Sequence, residues 1–146
     1  MTFHFRLESV LKLRQHERER ERQIVAQARR RHAEVTSKKE AIAQARFEVI
    51  SELRQMKLDD IWVVDQIQSR QCHIEILNQE LRRAEADIAS AELLLAECLK
   101  RLISADQAAC SLERLAELQR TEFHRIEAKN EARSIDDLAK PDRRVA

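Results

Sequence analysis

No glycine occurs anywhere in the 146 residues of this chain, and proline occurs once, at Pro141. Tight β-hairpins, P-loops and dinucleotide-binding fingerprints all depend on glycine where a side chain is not tolerated. The chain is instead rich in Ala, Leu, Glu, Arg and Gln, which are strong helix formers. This composition predicts an all-α protein made of long helices or a coiled coil, and it argues against an enzyme.

Charged residues are nearly balanced over the whole chain but not within its halves. Residues 1–58 hold 14 Lys and Arg against 8 Asp and Glu, whereas residues 59–146 hold 13 against 18. A basic half followed by an acidic half predicts that the two halves pair with each other. A nucleic-acid-binding protein would leave its positive charge uncompensated, so we expect no nucleic-acid partner.

Charged residues also recur too often for a membrane span. No stretch free of Asp, Glu, Lys and Arg exceeds six residues, whereas a transmembrane helix needs about 20 apolar residues. Residues 1–6 contain no apolar signal core. We therefore expect a cytoplasmic protein without direct membrane insertion, in which the three cysteines are reduced thiols.

A seven-residue apolar repeat runs through the second half of the chain. Of its 19 core positions 17 are apolar, and such a repeat is typical of one continuous helix in a left-handed coiled coil. The positions are Val63, Ile67, Arg70, Ile74, Leu77, Leu81, Ala84, Ile88, Ala91, Leu95, Cys98, Leu102, Ala105, Ala109, Leu112, Ala116, Gln119, Phe123 and Ile126. The helix is expected to cover about 60–139, because Pro141 ends it, with a short disordered tail at 140–146.

The first half repeats the pattern less regularly, with ten apolar residues at 16 positions. We expect a helix over about 3–58 and a turn at about 57–62, where Asp59 or Asp60 caps the second helix. A capping-box pattern at 36–40 leaves open a break in the first helix. The predicted core positions are Phe3, Leu7, Val10, Arg14, Glu17, Glu21, Ile24, Ala28, Arg31, Val35, Lys38, Ile42, Ala45, Val49, Glu52 and Met56.

Together these patterns predict a single domain, an antiparallel coiled-coil hairpin spanning residues 1–146. A turn centred near Asp59 places residue i opposite residue 118 − i, so that Phe3 meets the region of Leu115. The second helix then overhangs its partner from there to about residue 139.

No catalytic, cofactor-binding or metal-binding set can be assembled from the sequence. Cys72 and His73 are adjacent, but the other cysteines, Cys98 and Cys110, do not lie at zinc-ligand spacing. We expect both of these to be small core residues. A two-helix hairpin also has no concave pocket for a substrate.

Three surfaces are candidates for binding protein partners. The overhanging open end carries aromatic and basic residues, the tip of the hairpin carries exposed hydrophobic residues, and an apolar patch is expected opposite the charged segment 14–22. The open-end residues are Phe3, Phe5, Leu7, Arg120, Phe123, Ile126, Lys129 and Arg133. The tip residues are Phe47, Ile61, Trp62 and Val64, and the patch residues are Leu94, Leu95, Leu99 and Leu102. At the tip a hydrophobic staple is the alternative, and at the patch arginine stems that cover the leucines.

The N-terminus carries the most specific motif in the chain. Two phenylalanines one residue apart precede Arg6-Leu7-Glu8, then Val10-Leu11 and Leu13-Arg14, and residues 134–139 contain an Asp-Asp step. This pattern resembles the flagellar FliJ proteins, the small coiled-coil component of the bacterial flagellar type III export apparatus. In the family this step near the C-terminus tends to be Asp-Glu. Asp137 therefore departs from the family pattern, because it stands where the family has Glu.

The resemblance implies a non-enzymatic, cytoplasmic protein associated peripherally with the inner-membrane export apparatus. It implies three partners: the export ATPase ring at the paired ends of the hairpin, the cytoplasmic domain of the membrane export gate, for which the tip is the candidate surface, and export chaperones. Two alternatives remain open, an equivalent stalk protein of a virulence-type secretion system and a generic scaffold coiled coil. The stalk is expected to be a monomer and the scaffold a stable dimer.

Overall fold

The computed structural model describes residues 1–56 and 61–140, except for the side chains of Ile61 and Trp62. Two helices account for most of these residues: α1 spans Glu8–Gln55 and α2 spans Ile61–Ala139. The described residues include no β-strand. The predicted all-α fold of two long helices packed against each other is confirmed.

Helix α1 begins five residues later than the sequence pattern suggested. Residues 1–5 are not helical, and the backbone N–H of Glu8 donates a hydrogen bond to the carbonyl of Phe5 at 3.2 Å. Glu8 lies in the first turn, where a carboxylate suits the positive end of the helix, and it pairs with Lys12 at 3.7 Å. The first five residues are therefore free to fold against α2 rather than to extend α1.

The possible break at 36–40 does not occur, because α1 is continuous through this segment. The hydroxyl of Thr36 donates a hydrogen bond of 2.8 Å to the carbonyl of His32, one turn earlier. This is the usual way in which a threonine is satisfied inside a helix. Of the predicted turn at about 57–62, residues 57–60 with the caps Asp59 and Asp60 lie outside the described residues, whereas Ile61 and Trp62 already belong to α2. Of the predicted tail at 140–146, Lys140 is described and the rest lies outside the described residues.

The chain divides into two compact units, each of which contains parts of both helices. One unit is Glu21–Leu102, and the other combines Met1–Arg20 with the residues from Ile103 onward. In the unit Glu21–Leu102 the helices pack antiparallel around a thin core. Its central cluster is formed by Val25, Ala28 and Cys98, with Ile24, Leu95, Leu99 and Leu102 packed against it.

The predicted core face of α2 is confirmed over nearly its full length. Of its 19 positions only Gln119 and Ile126 are exposed, and even Arg70 is half-buried. Many of the most buried residues are small: Ala84, Ala91, Cys98, Ala109 and Ala116. Small side chains at regular heptad spacing leave room for the longer side chains of α1.

The predicted core face of the first half was wrong at six positions, which are exposed: Leu7, Val10, Arg14, Arg31, Lys38 and Glu52. The residues that follow the last three, His32, Lys39 and Leu53, are half-buried. His32 and Lys39 reach carboxylates of α2, which lets their polar ends lie at the edge of the interface while their stems cover apolar surface. An apolar pattern cannot detect such positions.

The predicted pairing register was also wrong. Within the unit Glu21–Leu102, His32 lies 3.5 Å from Glu92 and Lys39 lies 3.7 Å from Glu85. Residue i therefore faces about residue 124 − i instead of 118 − i. The six-residue difference moves every predicted contact of α1 almost two turns along α2.

The new register also corrects the expected apolar patch. Leu95, Leu99 and Leu102 were expected to lie uncovered opposite the charged segment 14–22, but they pack against the cluster around Val25 and Ala28. Leu94 alone of the four predicted residues is exposed. The leucines thus contribute to the interface between the helices.

The cysteines and the helices show no feature of a metal centre or membrane span. Cys72 is an exposed free thiol, Cys98 is buried and Cys110 is half-buried. The described ranges 1–56 and 61–140 contain no group of three or more His, Cys, Asp or Glu arranged to hold a metal ion. Over the same ranges, neither helix has a segment both long and apolar enough to span a bilayer.

The core position of Leu77 can be tested with a matched pair of variants. Leu77 is 6% exposed and its neighbour Ile76 is 54% exposed. We expect Leu77→Asp to lower the free energy of unfolding by about 3 kcal/mol or more, because it buries an unpaired carboxylate. Urea unfolding followed by circular dichroism measures the loss. Ile76→Asp should change it little, and equal losses in both variants would contradict the predicted core face.

Candidate partner-binding surfaces

The N-terminal segment packs against α2 through an aromatic contact. The rings of Phe3 and Phe123 lie 5.6 Å apart between centroids and are tilted by 51°. The guanidinium carbon of Arg120 lies 5.9 Å from the centre of the Phe3 ring, within the range of a cation–π interaction. Phe3 therefore meets Phe123 and not the region of Leu115, and Phe123 is not on an unpaired overhang.

The predicted open-end residues thus fall into two groups. Phe3 and Phe123 are half-buried, and Phe5 is buried. Those that remain accessible to another protein are Leu7, Arg120, Ile126, Lys129 and Arg133. The first group stabilises the end of the two-helix interface, and the second is available for binding.

Arg18 forms the central polar contact in the unit that contains both ends of the described chain. Its side chain is 17% exposed, and Nη2 donates a 2.8 Å hydrogen bond to Oε1 of Glu113. Nη1 lies 3.6 Å from Oδ1 of Asp106, and Gln15 donates a 3.2 Å hydrogen bond to the same Glu113 oxygen. The hydrogen bond to Glu113 raises the pKa of Arg18, so the guanidinium remains charged.

These contacts explain how a charged stretch of α1 can lie in a helix interface. The segment 14–22 has few apolar side chains, but its Arg18 meets two carboxylates of α2. A charged hydrogen bond with little exposure to water is stronger than a surface ion pair. At Arg18 acidic residues of the second half therefore compensate a basic residue of the first, as the charge distribution predicted.

An open groove lies beside the N-terminus. It encloses about 460 Å³ and is lined by Met1, Phe123, Ile126, Glu127, Asn130, Glu131 and Ser134. The spacing of these α2 residues, three or four apart, places them on one face of the helix. Two other grooves lie in the unit Glu21–Leu102, and most of their lining residues are charged or polar.

The last turns of α2 make no contact with α1 that buries them. Every described residue from 128 to 140 is exposed, including the apolar Ile135 and Leu138. The overhang is therefore about 13 residues long and begins later than predicted. Just before it, Arg125 pairs with Glu122 at 2.7 Å, and this hydrogen bond lowers the pKa of the Glu122 carboxyl.

Two of the four predicted tip residues can be described, and both lie in the unit Glu21–Leu102. Phe47 on α1 and Val64 on α2 are both exposed. In the register of this unit Phe47 faces about residue 77, so the two side chains lie roughly 20 Å apart along the helices. The side chains of Ile61 and Trp62 lie outside the described residues, so the binding surface and the hydrophobic staple both stay predictions.

Sequence reasoning missed the polar half of the end groove and the Arg18 contact. Glu127, Asn130, Glu131 and Ser134 repeat at intervals of three and four on one side of α2, but the same spacing occurs on any solvent-facing surface of a charged helix. Only the folded position of Met1 shows which of these faces borders a groove.

The Arg18 contact is expected to contribute measurably to stability. Arg18→Met keeps an unbranched apolar stem but leaves Glu113 and Asp106 without their guanidinium partner. We expect a loss of about 1–2 kcal/mol in the free energy of unfolding by urea. Arg20→Met, at an exposed position of the same helix, is the matched control. Similar losses in the two variants would show that the contacts of Arg18 with Glu113 and Asp106 make no specific contribution to the free energy of unfolding.

The Phe3–Phe123 contact is expected to hold the N-terminal segment in place. Phe123→Ala removes one ring and should weaken local structure by about 1 kcal/mol. The amide of Leu11, which is hydrogen-bonded to Leu7, should then exchange roughly fivefold faster with deuterium in NMR experiments. Leu118→Ala, at an exposed position, should leave this rate unchanged. An unchanged rate in Phe123→Ala would contradict the contact.

Comparison with known proteins assigns the chain to a family. The family model of the flagellar FliJ protein matches residues 3–141, which include both helices and the N-terminal segment with its two phenylalanines. No curated protein and no solved structure matches the chain. The match agrees with the resemblance of the N-terminal motif and with the two-helix fold. The chain therefore belongs to the FliJ family, whose members are non-catalytic components of the flagellar protein export apparatus.

Proposed function

We propose that this protein couples the export ATPase ring to the cytoplasmic domain of the membrane export gate and also engages export chaperones. In this role it has no enzymatic activity and acts as a monomer in the cytoplasm, peripherally associated with the inner-membrane export apparatus. Membership of the FliJ family supports the proposal. The scaffold alternative has no comparable support, and the flagellar family match favours the flagellar system over a virulence-type one.

The observation that carries the ATPase contact is the exposed end of α2. The N-terminal segment packs against Phe123 of α2. Every described residue of α2 from 128 onward is exposed. A helix with apolar and charged side chains that are not used within its own fold is suited to binding a groove on another protein. We assign Leu7, Arg120, Ile126, Lys129 and Arg133 to this contact.

A single helix is also geometrically suited to the centre of a ring. Its diameter is about 10–12 Å with side chains, and charges along its sides steer it towards complementary charges before apolar contacts form. Exposed charges of both signs lie along this end of α2, with Lys129 and Arg133 among the basic residues and Glu131 among the acidic ones.

The tip is the surface that we assign to the export gate. Val64 is exposed near the start of α2 and Phe47 is exposed on α1, and apolar side chains that are exposed in the free protein are candidates for burial against a partner. Ile61 and Trp62 belong to the same proposed surface.

Removal of the exposed end of α2 tests the ATPase contact. A chain truncated after Ala128 keeps Phe3, Phe123 and the Arg18 contact. We therefore expect it to retain the thermal unfolding of the full chain, measured by circular dichroism. It should lose most of the stimulation that the full chain gives to ATP hydrolysis by the export ATPase of the same bacterium.

The matched control is a variant of the predicted tip residues. Phe47→Ala combined with Val64→Ala should leave the ATPase stimulation intact and weaken binding to the purified cytoplasmic domain of the export gate. Full stimulation by the truncated chain, with loss of stimulation in the tip variant, would reverse the assignment of the two ends. If neither variant changed the ATPase stimulation or the binding to the export gate, the coupling function would be rejected.

A further inference from the structure

The end groove combines an apolar floor with an acidic rim. Met1, Phe123 and Ile126 supply the apolar part, and Glu127 and Glu131 supply carboxylates, beside the neutral Asn130 and Ser134. Among the described residues, no side chain of Lys or Arg lines it. The groove is therefore complementary to a group that is apolar in one part and positively charged in the next.

Of the basic residues in the same helix segment, Lys129 lies on another face, whereas Arg133, seven residues after Ile126, borders the groove face. In an α-helix each residue is rotated by about 100° from the one before, so Lys129 lies about 120° from the middle of the groove face. Asp136 lies about 140° from it and Ile135 about 120°. Asp136 and Ile135 are therefore positions at which a substitution leaves the groove face unchanged.

The two carboxylates of the groove differ in how they are engaged. Glu127 lies 4.0 Å from the amino group of Met1 and 3.7 Å from Nδ1 of His124. Glu131 is one turn further along and is exposed. A cation that approaches the groove would therefore meet Glu131 as its principal partner, while the apolar part of the same segment reaches Ile126.

We propose that this groove binds a segment of the export ATPase that presents an apolar side chain next to a lysine or arginine. The inference rests on the proposed function and adds to it the chemistry of the contact and the face of α2 that makes it. The apolar side chain packs on Ile126 and Phe123, and the cation pairs with Glu131. Glu131 then contributes to affinity for the ring alongside the basic residues Lys129 and Arg133.

The same charges argue against a second copy of this chain placed groove to groove. Two grooves that face each other would place the Glu131 carboxylates of both copies at one site, while Glu127 of each copy is already paired with the Met1 amino group. Like charges at an interface oppose association. A basic segment of another protein has no such penalty.

Charge-matched variants of the full chain test the proposal, with the purified export ATPase as the probe. Glu131→Lys should weaken binding by about tenfold or more, because it turns an attraction into a repulsion. Asp136→Lys makes the same change of charge on another face and should leave the affinity within about twofold. Ile126→Ser should weaken binding by about tenfold, whereas Ile135→Ser, at an exposed apolar position, should not.

The outcomes separate the groove from the function on which it rests. Equal effects of Glu131→Lys and Asp136→Lys would show general electrostatic attraction and overturn the proposal. If truncation after Ala128 abolished ATPase stimulation while Glu131→Lys and Ile126→Ser bound normally, the groove would be rejected and the ATPase contact would stand. If the truncated chain also bound and stimulated normally, the proposed ATPase contact itself would fail. Circular dichroism of each variant confirms that the helices are intact.

Discussion

Two helices alone can bury only a narrow stripe of side chains, and that limit governs the rest of this structure. The residues that are most buried are few and many are small. Contacts between charged groups across the interface therefore carry much of the specificity, with Arg18 between Asp106 and Glu113 as the least exposed example. His32 with Glu92 and Lys39 with Glu85 follow the same arrangement, a basic residue of α1 against an acidic residue of α2.

This arrangement makes a polar segment of α1 compatible with a long helical interface. If residue 18 were apolar, α1 could shift along the leucines and alanines of α2 with little change in energy, because apolar contacts have no direction. A guanidinium that is hydrogen-bonded to a particular carboxylate resists that movement. The cost of the polar interface is a smaller apolar core, and its benefit is a defined alignment of the two helices within each unit.

The surfaces available to partners follow from where the apolar and charged residues have been used. The leucines near Cys98 pack against α1, and the rings of Phe3 and Phe123 pack against each other. Phe47, Val64, Ile126, Ile135 and Leu138 are among the apolar side chains that stay exposed.

The absence of glycine, the charge division and the heptads of α2 determined the all-α fold and the core face of α2, because these properties are local and periodic. The N-terminal phenylalanine motif was sufficient to indicate the family. The core face of α1, the register and the end groove were decided only by the tertiary structure. A heptad pattern is satisfied almost equally well in several registers, and charged residues such as Arg18 and Lys39 enter an interface only where carboxylates lie opposite. The position of Phe3 against Phe123, and with it the groove beside Glu131, was likewise decided by contacts within its own unit, which no periodic pattern records.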